Sequence, residues 1–151
     1  MEKTLVLIKP DAVQRALIGE ILKRFEQRGL KIIAMKMVHV TREFAETHYA
    51  EHAGKSFFES LVGYITSSPL VALVIEGPRV ISAVRQMAGK TNPLEADPGT
   101  IRHDFGIVTG RNLLHASDSP ESAEKEIALW FQPQEICPWT PDNERWVFQE
   151  N

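Results

Sequence analysis

Short apolar runs alternate along this chain with longer stretches in which apolar residues recur every three or four positions. The first run, Thr4 to Ile8, is β-prone and stops at Lys9-Pro10, where the ring removes a ladder donor. Ile18, Ile21, Leu22 and Phe25 then recur at helical spacing, and Gly29 is placed to close that helix. Asp11 stands where it could cap a turn or the helix. Lys31 to Val40 reads as a second strand, with Ile33, Met35 and Met37 on a core face and Lys36 on the other. Thr41 predicts an N-cap for a short helix over residues 43–51. A further amphipathic segment carries Phe57, Phe58, Leu61, Val62 and Ile65. Successive helical residues are about 100° apart, so Phe57 and Phe58 cannot both point inward. One belongs at a rim, either to stack on a planar ligand or to meet another subunit or helix.

Leu70 to Glu76 is nearly continuous in apolar residues and reads as a central strand covered on at least one face. Gly77-Pro78 turns the chain into a helix marked by Val80, Ile81, Val84, Met87 and Ala88, which Gly89 ends. In KTNPLEADPGTIRHD, residues Pro93, Pro98 and Gly99 oppose a regular element, and connections this long are often functional. Phe105 to Thr109 reads as the last strand, with a turn at Gly110-Arg111-Asn112. Ser119-Pro120-Glu121 is a strong helix start: a capping hydroxyl, a first-turn proline and an acid against the helix dipole. Ala123, Ile127, Trp130 and Phe131 form the stripe that follows. The tail holds Pro133, Pro138, Trp139, Pro141 and Trp146, and Arg145–Phe148 reads as extended. Large aromatics there need a cover, for which a partner subunit is the natural candidate.

This order predicts an α/β fold: a four-stranded sandwich with helices covering one face. The topology is βαββαβ if residues 43–67 form an insertion between the second and third strands. Strand order is not legible in the pattern. The 151 residues suit one domain, residues 1–151, with a sizeable core. A composition of 43% hydrophobic and 25% charged residues is that of an ordinary globular protein. The net charge of −3 argues against a dedicated nucleic-acid coat or anionic-membrane binder, while leaving room for a local basic pocket. No apolar run is long enough to cross a bilayer, and the start reads as a strand, not a signal peptide. The single cysteine, Cys137, excludes an intrachain disulfide or a CxxC knuckle and makes a reducing cytoplasm the expected setting.

Chemistry concentrates in Arg102 to Ser119, where two basic residues, a glycine turn and His115 precede a capped helix. The stretch reads as an anion-handling segment. Lys9, at the end of the first strand, is either an exposed charge or one aimed into a crevice. No phosphate loop of the GxxxxGK[ST] kind is present, because Gly54-Lys55-Ser56 has Tyr49 where the earlier glycine belongs. Phosphate recognition must therefore use side chains, and Lys9, Arg85, Thr91 and Arg102 supply them. Neutral imidazole is nucleophilic near pH 7 when one nitrogen is free and the other is held. Glu126, at the edge of its helix's apolar stripe, either orients such an imidazole or makes a rim salt bridge. His48 and His52 have the i,i+4 spacing of a metal pair, but no third ligand is evident and a solvated or packed pair is the plainer reading. Tyr49 reads as a packed aromatic.

Three segments in order, TLVLIKPDAVQR, TNPLEADPGTIRHDF and GRNLLHASDSPESAEKEI, closely resemble the nucleoside diphosphate kinase family, with comparable spacing over essentially the whole chain. The resemblance implies a ferredoxin-like sandwich with a four-stranded antiparallel sheet. It also implies reversible γ-phosphate transfer from nucleoside triphosphates, ATP included, to diphosphates, by ping-pong through a phosphohistidine and with broad base specificity. His115 would be the nucleophile, held by Glu126 with Ser117, and Tyr49 would lie near the phosphoryl group. Lys9, Arg102 and Asn112 would contact the transferred phosphate or the sugar hydroxyls, and Arg85 and Thr91 the distal diphosphate. Phe57 would stack on the base, and Val108 to Gly110 would line the cleft. Mg²⁺ would arrive on the nucleotide phosphates without a protein cage. The family forms tetramers or hexamers, and the long aromatic tail resembles the longer family members, which favours a hexamer. One residue departs from the pattern: Ala116 follows the histidine where the family usually has glycine. An ordinary backbone there is expected, which makes the change nearly silent. Two other readings stand beside this one: a nucleotide-binding regulator on the same scaffold without transfer activity, and an RNA-binding module. The latter needs exposed aromatics on a basic sheet face.

Overall fold

The computed structural model describes residues 1–150. Eleven main elements follow in chain order: β1 (Glu2–Ile8), α1 (Pro10–Gln14), α2 (Ile18–Gln27), β2 (Lys31–Val38), α3 (Arg42–His48), α4 (Phe58–Ile65), β3 (Leu70–Gly77), α5 (Val80–Ala88), α6 (Ile101–Phe105), β4 (Leu114–Ala116) and α7 (Pro120–Trp130). The strands form one sheet in the order β2-β3-β1-β4, and every neighbouring pair is antiparallel. This is the expected βαββαβ sandwich, with α3 and α4 inserted between β2 and β3.

Helices cover both faces of the sheet, where the pattern had predicted one. Val6, Ile8, Val71, Leu73 and Ile75 pack with Ile21 and Phe25 of α2, Val80 and Val84 of α5, and Ile101 of α6. The alternate residues Leu5, Leu7, Leu70, Ala72 and Val74 pack with Ala45 of α3, Val62 and Ile65 of α4, and Trp130 of α7. The central strands are apolar at successive positions, so neither face can be left to water. The same cover removes the open sheet face that an RNA-binding module would use.

Two strand readings are corrected. In β2 the register slips between Ile32 and Ala34, so Ile33 and Ala34 both reach the core shared by α3, α4 and α7. Beyond this irregularity Met35 and Met37 are 57% and 60% exposed at the edge of the sheet, not core residues. Lys36 instead lies over the Phe131 ring, 4.7 Å from its centroid, and pairs with Glu135. Phe105 to Thr109 is not a strand either. Phe105 ends α6, the Gly106 N–H closes it onto the Arg102 carbonyl at 2.8 Å, and Ile107 and Val108 are exposed. A Cβ at position 106 would stand 2.9 Å from that carbonyl oxygen and 3.0 Å from Pro93, so only glycine fits. The last strand is the three-residue β4.

The tail is also corrected: Glu144–Trp146 is a single 3₁₀ turn, not an extended segment. The tail covers its own chain. Trp139 Nε1 donates to the Ile32 carbonyl at 3.0 Å, and the buried Lys31 ammonium meets the Trp139 carbonyl, Glu144 and Glu76. Trp146 is left 77% exposed. Among the described residues no helix is long and apolar enough to cross a membrane.

Candidate active site

The short β4 strand sets the direction of His115. Leu114 and Ala116 are anchored in the core beside α2 and α5, so the residue between them must point to the opposite face. There it meets α3 and α7. His115 Nε2 lies 3.0 Å from Glu126 Oε2, and the other oxygen of Glu126 accepts the Ser117 hydroxyl at 2.6 Å. Ser117 Oγ in turn accepts the Leu5 N–H at 3.2 Å, which ties the carboxylate to the middle of the sheet. Burial pushes the Glu126 carboxyl up, but the bond and charge from His115 and the Ser117 hydroxyl outweigh it and leave the pKa below its ordinary value. An ionised carboxylate can only accept, so Nε2 is the donor in this contact and Nδ1 is left outside it.

His48 closes the other side, its ring 5.1 Å from that of His115 and nearly perpendicular to it. Trp130 Nε1 donates to His48 Nδ1 at 3.1 Å. Burial, followed by the neighbouring His115, holds the His48 pKa down to about 3, so this ring is neutral. Tyr49 packs edge-on against His48 at 4.7 Å and reaches His115 through it. Burial and the Glu126 charge push its hydroxyl up to about 12. The row continues outward through His52, 6.3 Å from Tyr49, to Phe57, 5.3 Å from His52. Phe57 is 45% exposed whereas Phe58 packs inward, which resolves the two phenylalanines as the helical spacing required. Of the His48–His52 pair, His52 Nδ1 lies 3.3 Å from the Lys55 ammonium and His48 Nδ1 accepts from Trp130; no cluster of three or more His, Cys, Asp or Glu fit for a metal occurs among the described residues.

A basic group lies beside this row. Lys9 is buried at the end of β1, and its ammonium donates to Asn112 Oδ1 at 3.0 Å. Burial, then the Arg102 charge, lowers its pKa to about 8, against a raising effect from Asp11. Arg102 is buried as well and already donates to the carbonyls of Asn112, Gly89 and Leu114. Two of its five N–H groups remain for a ligand. Burial and Arg85 lower its pKa to about 10, which leaves it cationic at neutral pH. Arg85 donates to the Ala116 carbonyl at 3.0 Å, next to His115 in the chain. Thr91 joins through its backbone, its carbonyl accepting from Asn112 Nδ2, with its side chain exposed. Val108 to Gly110 are exposed along the neighbouring loop. Two cavities of about 760 and 690 Å³ are not lined by His115, one bordered by Arg85 and Asp118 and the other along α7.

The alanine after His115 has no left-handed backbone; among the described residues the non-glycine ones with positive φ are Ala16, Arg79 and Leu113. The strain lies at Leu113, where φ is +79° and the Leu114 N–H closes onto the Asn112 carbonyl at 2.9 Å. Such a three-residue turn costs a non-glycine residue about 1–3 kcal/mol. Sequence reasoning missed it because leucine carries no turn signal. It also missed Asp11, which is not a cap: Pro10 opens α1, and the Asp11 carboxylate turns inward to accept from Tyr64 and from the Leu113 N–H. Asp followed by helix is too common to have singled it out.

An imidazole with one nitrogen outside its carboxylate contact, near buried cations and an exposed aromatic ring, suits a polyanion attached to a planar group. The comparisons agree. A model of the nucleoside diphosphate kinase family matches residues 2–136. A nucleoside diphosphate kinase of Archaeoglobus fulgidus is 57% identical over 150 residues, covering 99% of each chain. One from Listeria monocytogenes serotype 4b is 58% identical over 147 residues, covering 97% of this chain and all of the relative. Among solved structures, a halophilic nucleoside diphosphate kinase from Halobacterium salinarum in complex with CDP superposes with a TM-score of 0.96 at 46% identity, over 98% of this chain and 99% of the other.

Proposed function

The chain belongs to the nucleoside diphosphate kinase family and transfers phosphate from nucleoside triphosphates to nucleoside diphosphates, and we propose that His115 carries the phosphate between them. The observation that supports this most directly is the Glu126–His115 contact, which commits Nε2 and leaves Nδ1 as the nucleophile. In the first half-reaction the Nδ1 lone pair attacks the γ-phosphorus. The bond to the bridging oxygen breaks, its electron pair stays on the departing diphosphate, and an N–P bond forms. The second half-reaction reverses these steps on a different diphosphate. As the N–P bond forms, positive charge develops on the ring, and the Glu126 carboxylate stabilises it while Ser117 keeps the carboxylate in place.

Lys9, Arg102 and Asn112 meet the transferred phosphoryl group and the sugar hydroxyls, and Arg85 and Thr91 hold the remaining diphosphate. Charge neutralisation by these groups supplies most of the catalysis, because phosphoryl transfer asks little covalent chemistry of the protein. Tyr49 packs beside the transfer site. Phe57 stacks on the base and Val108 to Gly110 line its entry. A stacking contact discriminates weakly among bases, which accords with a broad substrate range that includes ATP, and with CDP bound by the Halobacterium salinarum relative. The donor set fits Mg²⁺ carried on the nucleotide, since the described residues offer no carboxylate or imidazole cluster for it. When bound there, Mg²⁺ neutralises phosphate oxygens. We further propose that the whole chain acts as one catalytic domain, in the cytoplasm, and within a hexamer in preference to a tetramer.

Incubation with γ-labelled ATP and Mg²⁺ tests the chemistry. The expected product is an acid-labile, base-stable label on His115 that a different nucleoside diphosphate discharges, absent from His115→Gln. Intact nucleotide binding without label would instead establish the regulator reading.

A further inference from the structure

The transfer scheme leaves one half-buried contact without a role. Asp11 sits at the second position of α1, and its two carboxylate oxygens are both engaged: one accepts from the Tyr64 hydroxyl of α4, the other from the Leu113 N–H at 3.2 Å. Leu113 is the strained residue with φ +79°. The groups around it are tied to the site on every side. Its carbonyl accepts the Lys9 N–H at 2.8 Å, and the Asn112 carbonyl accepts Arg102 Nε at 3.2 Å. The Leu114 carbonyl accepts Arg102 Nη2 at 2.7 Å. Asn112 immediately before the turn holds the Lys9 ammonium, and His115 lies two residues after it. A change in the turn therefore moves both the cation and the nucleophile.

Resting on the phosphotransfer reading, we propose that Asp11 is a positioning residue: with Tyr64 it clamps the Leu113 turn that aligns Asn112 and His115, and it supplies the negative charge that balances Lys9. The groups facing Lys9 are Arg102 from α6, Asn112 from the turn, the Tyr64 ring of α4 at 5.6 Å, neutral His48 of α3, and Asp11 itself. Burial and Arg102 drive its proton off, and Asp11 opposes them. With Lys9 at about 8, loss of the opposing Asp11 charge would lower it further, toward neutral pH. Tyr64 contributes a hydroxyl that stays protonated, because burial and its bond to Asp11 push its pKa upward.

Substitution separates the two roles. In Asp11→Asn the amide oxygen faces the Leu113 N–H and the NH₂ faces the Tyr64 oxygen, so the clamp persists while the charge is gone. The expected result is a normal rate at pH 6.5 and an alkaline limb of kcat/KM displaced about one pH unit lower, a loss of roughly fivefold at the wild-type midpoint that approaches tenfold above it. In Asp11→Ala the turn also loses its acceptor, and kcat should fall at least about tenfold at every pH, without recovery in acid. Tyr64→Phe keeps the charge and should leave the limb where it is. Near-ultraviolet circular dichroism and nucleotide binding establish that each variant is folded; if Asp11→Ala does not fold, Asp11→Asn carries the test. An Asp11→Asn enzyme with the wild-type limb and rate overturns the inference. A wild-type enzyme that acquires no label on His115 overturns the phosphotransfer reading instead.

Discussion

Ala116 pairs with Val6 in the sheet and is buried, while its carbonyl holds Arg85. Nothing at this position requires glycine. Ala116→Gly should leave the transfer rate within about twofold and lower stability by about 0.5–1 kcal/mol, the conformational cost of glycine in a regular element. Urea denaturation and steady-state kinetics check both; a more stable or slower variant would show that alanine strains the site. Three residues earlier the balance differs. Glycine at 113 would relieve about 1–3 kcal/mol of backbone strain, but it would also delete a fully buried leucine, worth about 2–5 kcal/mol. Packing outweighs strain there, which is why a strained leucine holds this turn. Neither fact can be read from residue type alone, since both depend on which core the neighbouring side chains enter.

At the scale of elements, α3 and α7 are joined by His48 and Trp130, whose rings meet edge-on at 5.3 Å and share a hydrogen bond. The contact needs a neutral imidazole. In the unfolded chain His48 would take up a proton near pH 6.5, whereas in the folded protein burial and His115 hold it down to about 3. A base with a lowered folded pKa binds fewer protons than its unfolded form between those values. Its stabilising effect is therefore full above pH 6.5 and is lost as pH falls toward 3, by roughly 2–3 kcal/mol at pH 4.5. Urea midpoints at pH 7.5 and 4.5 measure this, with His48→Phe as the comparison. The variant should lose distinctly less stability than the wild type on acidification, and an equal loss would refute the assignment. The elements carrying this contact were legible because their ends are written in side chains: Thr41 and Ser119 do accept the N–H groups that cap α3 and α7, and Gly29 does take a positive φ. The β4 strand was not legible. Three residues are too few for a period, and the β-prone Phe105–Thr109 run before it drew the assignment, although Gly106 must sit against Pro93 and the Arg102 carbonyl. Glu126 as the holder of His115 stood as one of two readings of the residues until the family resemblance favoured it, and Lys9 was left undecided by spacing; that Asn112 holds the Lys9 ammonium was not foreseen.

For the whole molecule, the apolar surface that the chain leaves uncovered is informative. Met35 and Met37 lie exposed on β2, an outer strand of the sheet whose remaining backbone groups have no neighbouring strand. Leu94, Ile107 and Val108 are exposed around the connection that carries Arg102, and Trp146 protrudes from the tail. Exposed apolar side chains occur singly on any monomer, but an edge strand bearing two of them is a hazard unless it is paired or covered. Tail and sheet face do not meet this need, since the tail already packs on Lys31 and Ile32 of its own chain. Self-association would meet it, as the proposed hexamer requires. Light scattering on the eluted peak should return six times the 17.0 kDa chain mass, with four times as the alternative the family allows. Lysine at both 35 and 37 adds like charge to an edge that would meet its own copy, and should lower the particle mass while preserving near-ultraviolet circular dichroism. A wild-type mass of 17.0 kDa at micromolar concentration would remove the assembly altogether, and the exposed methionines would then be solvated residues of a monomer.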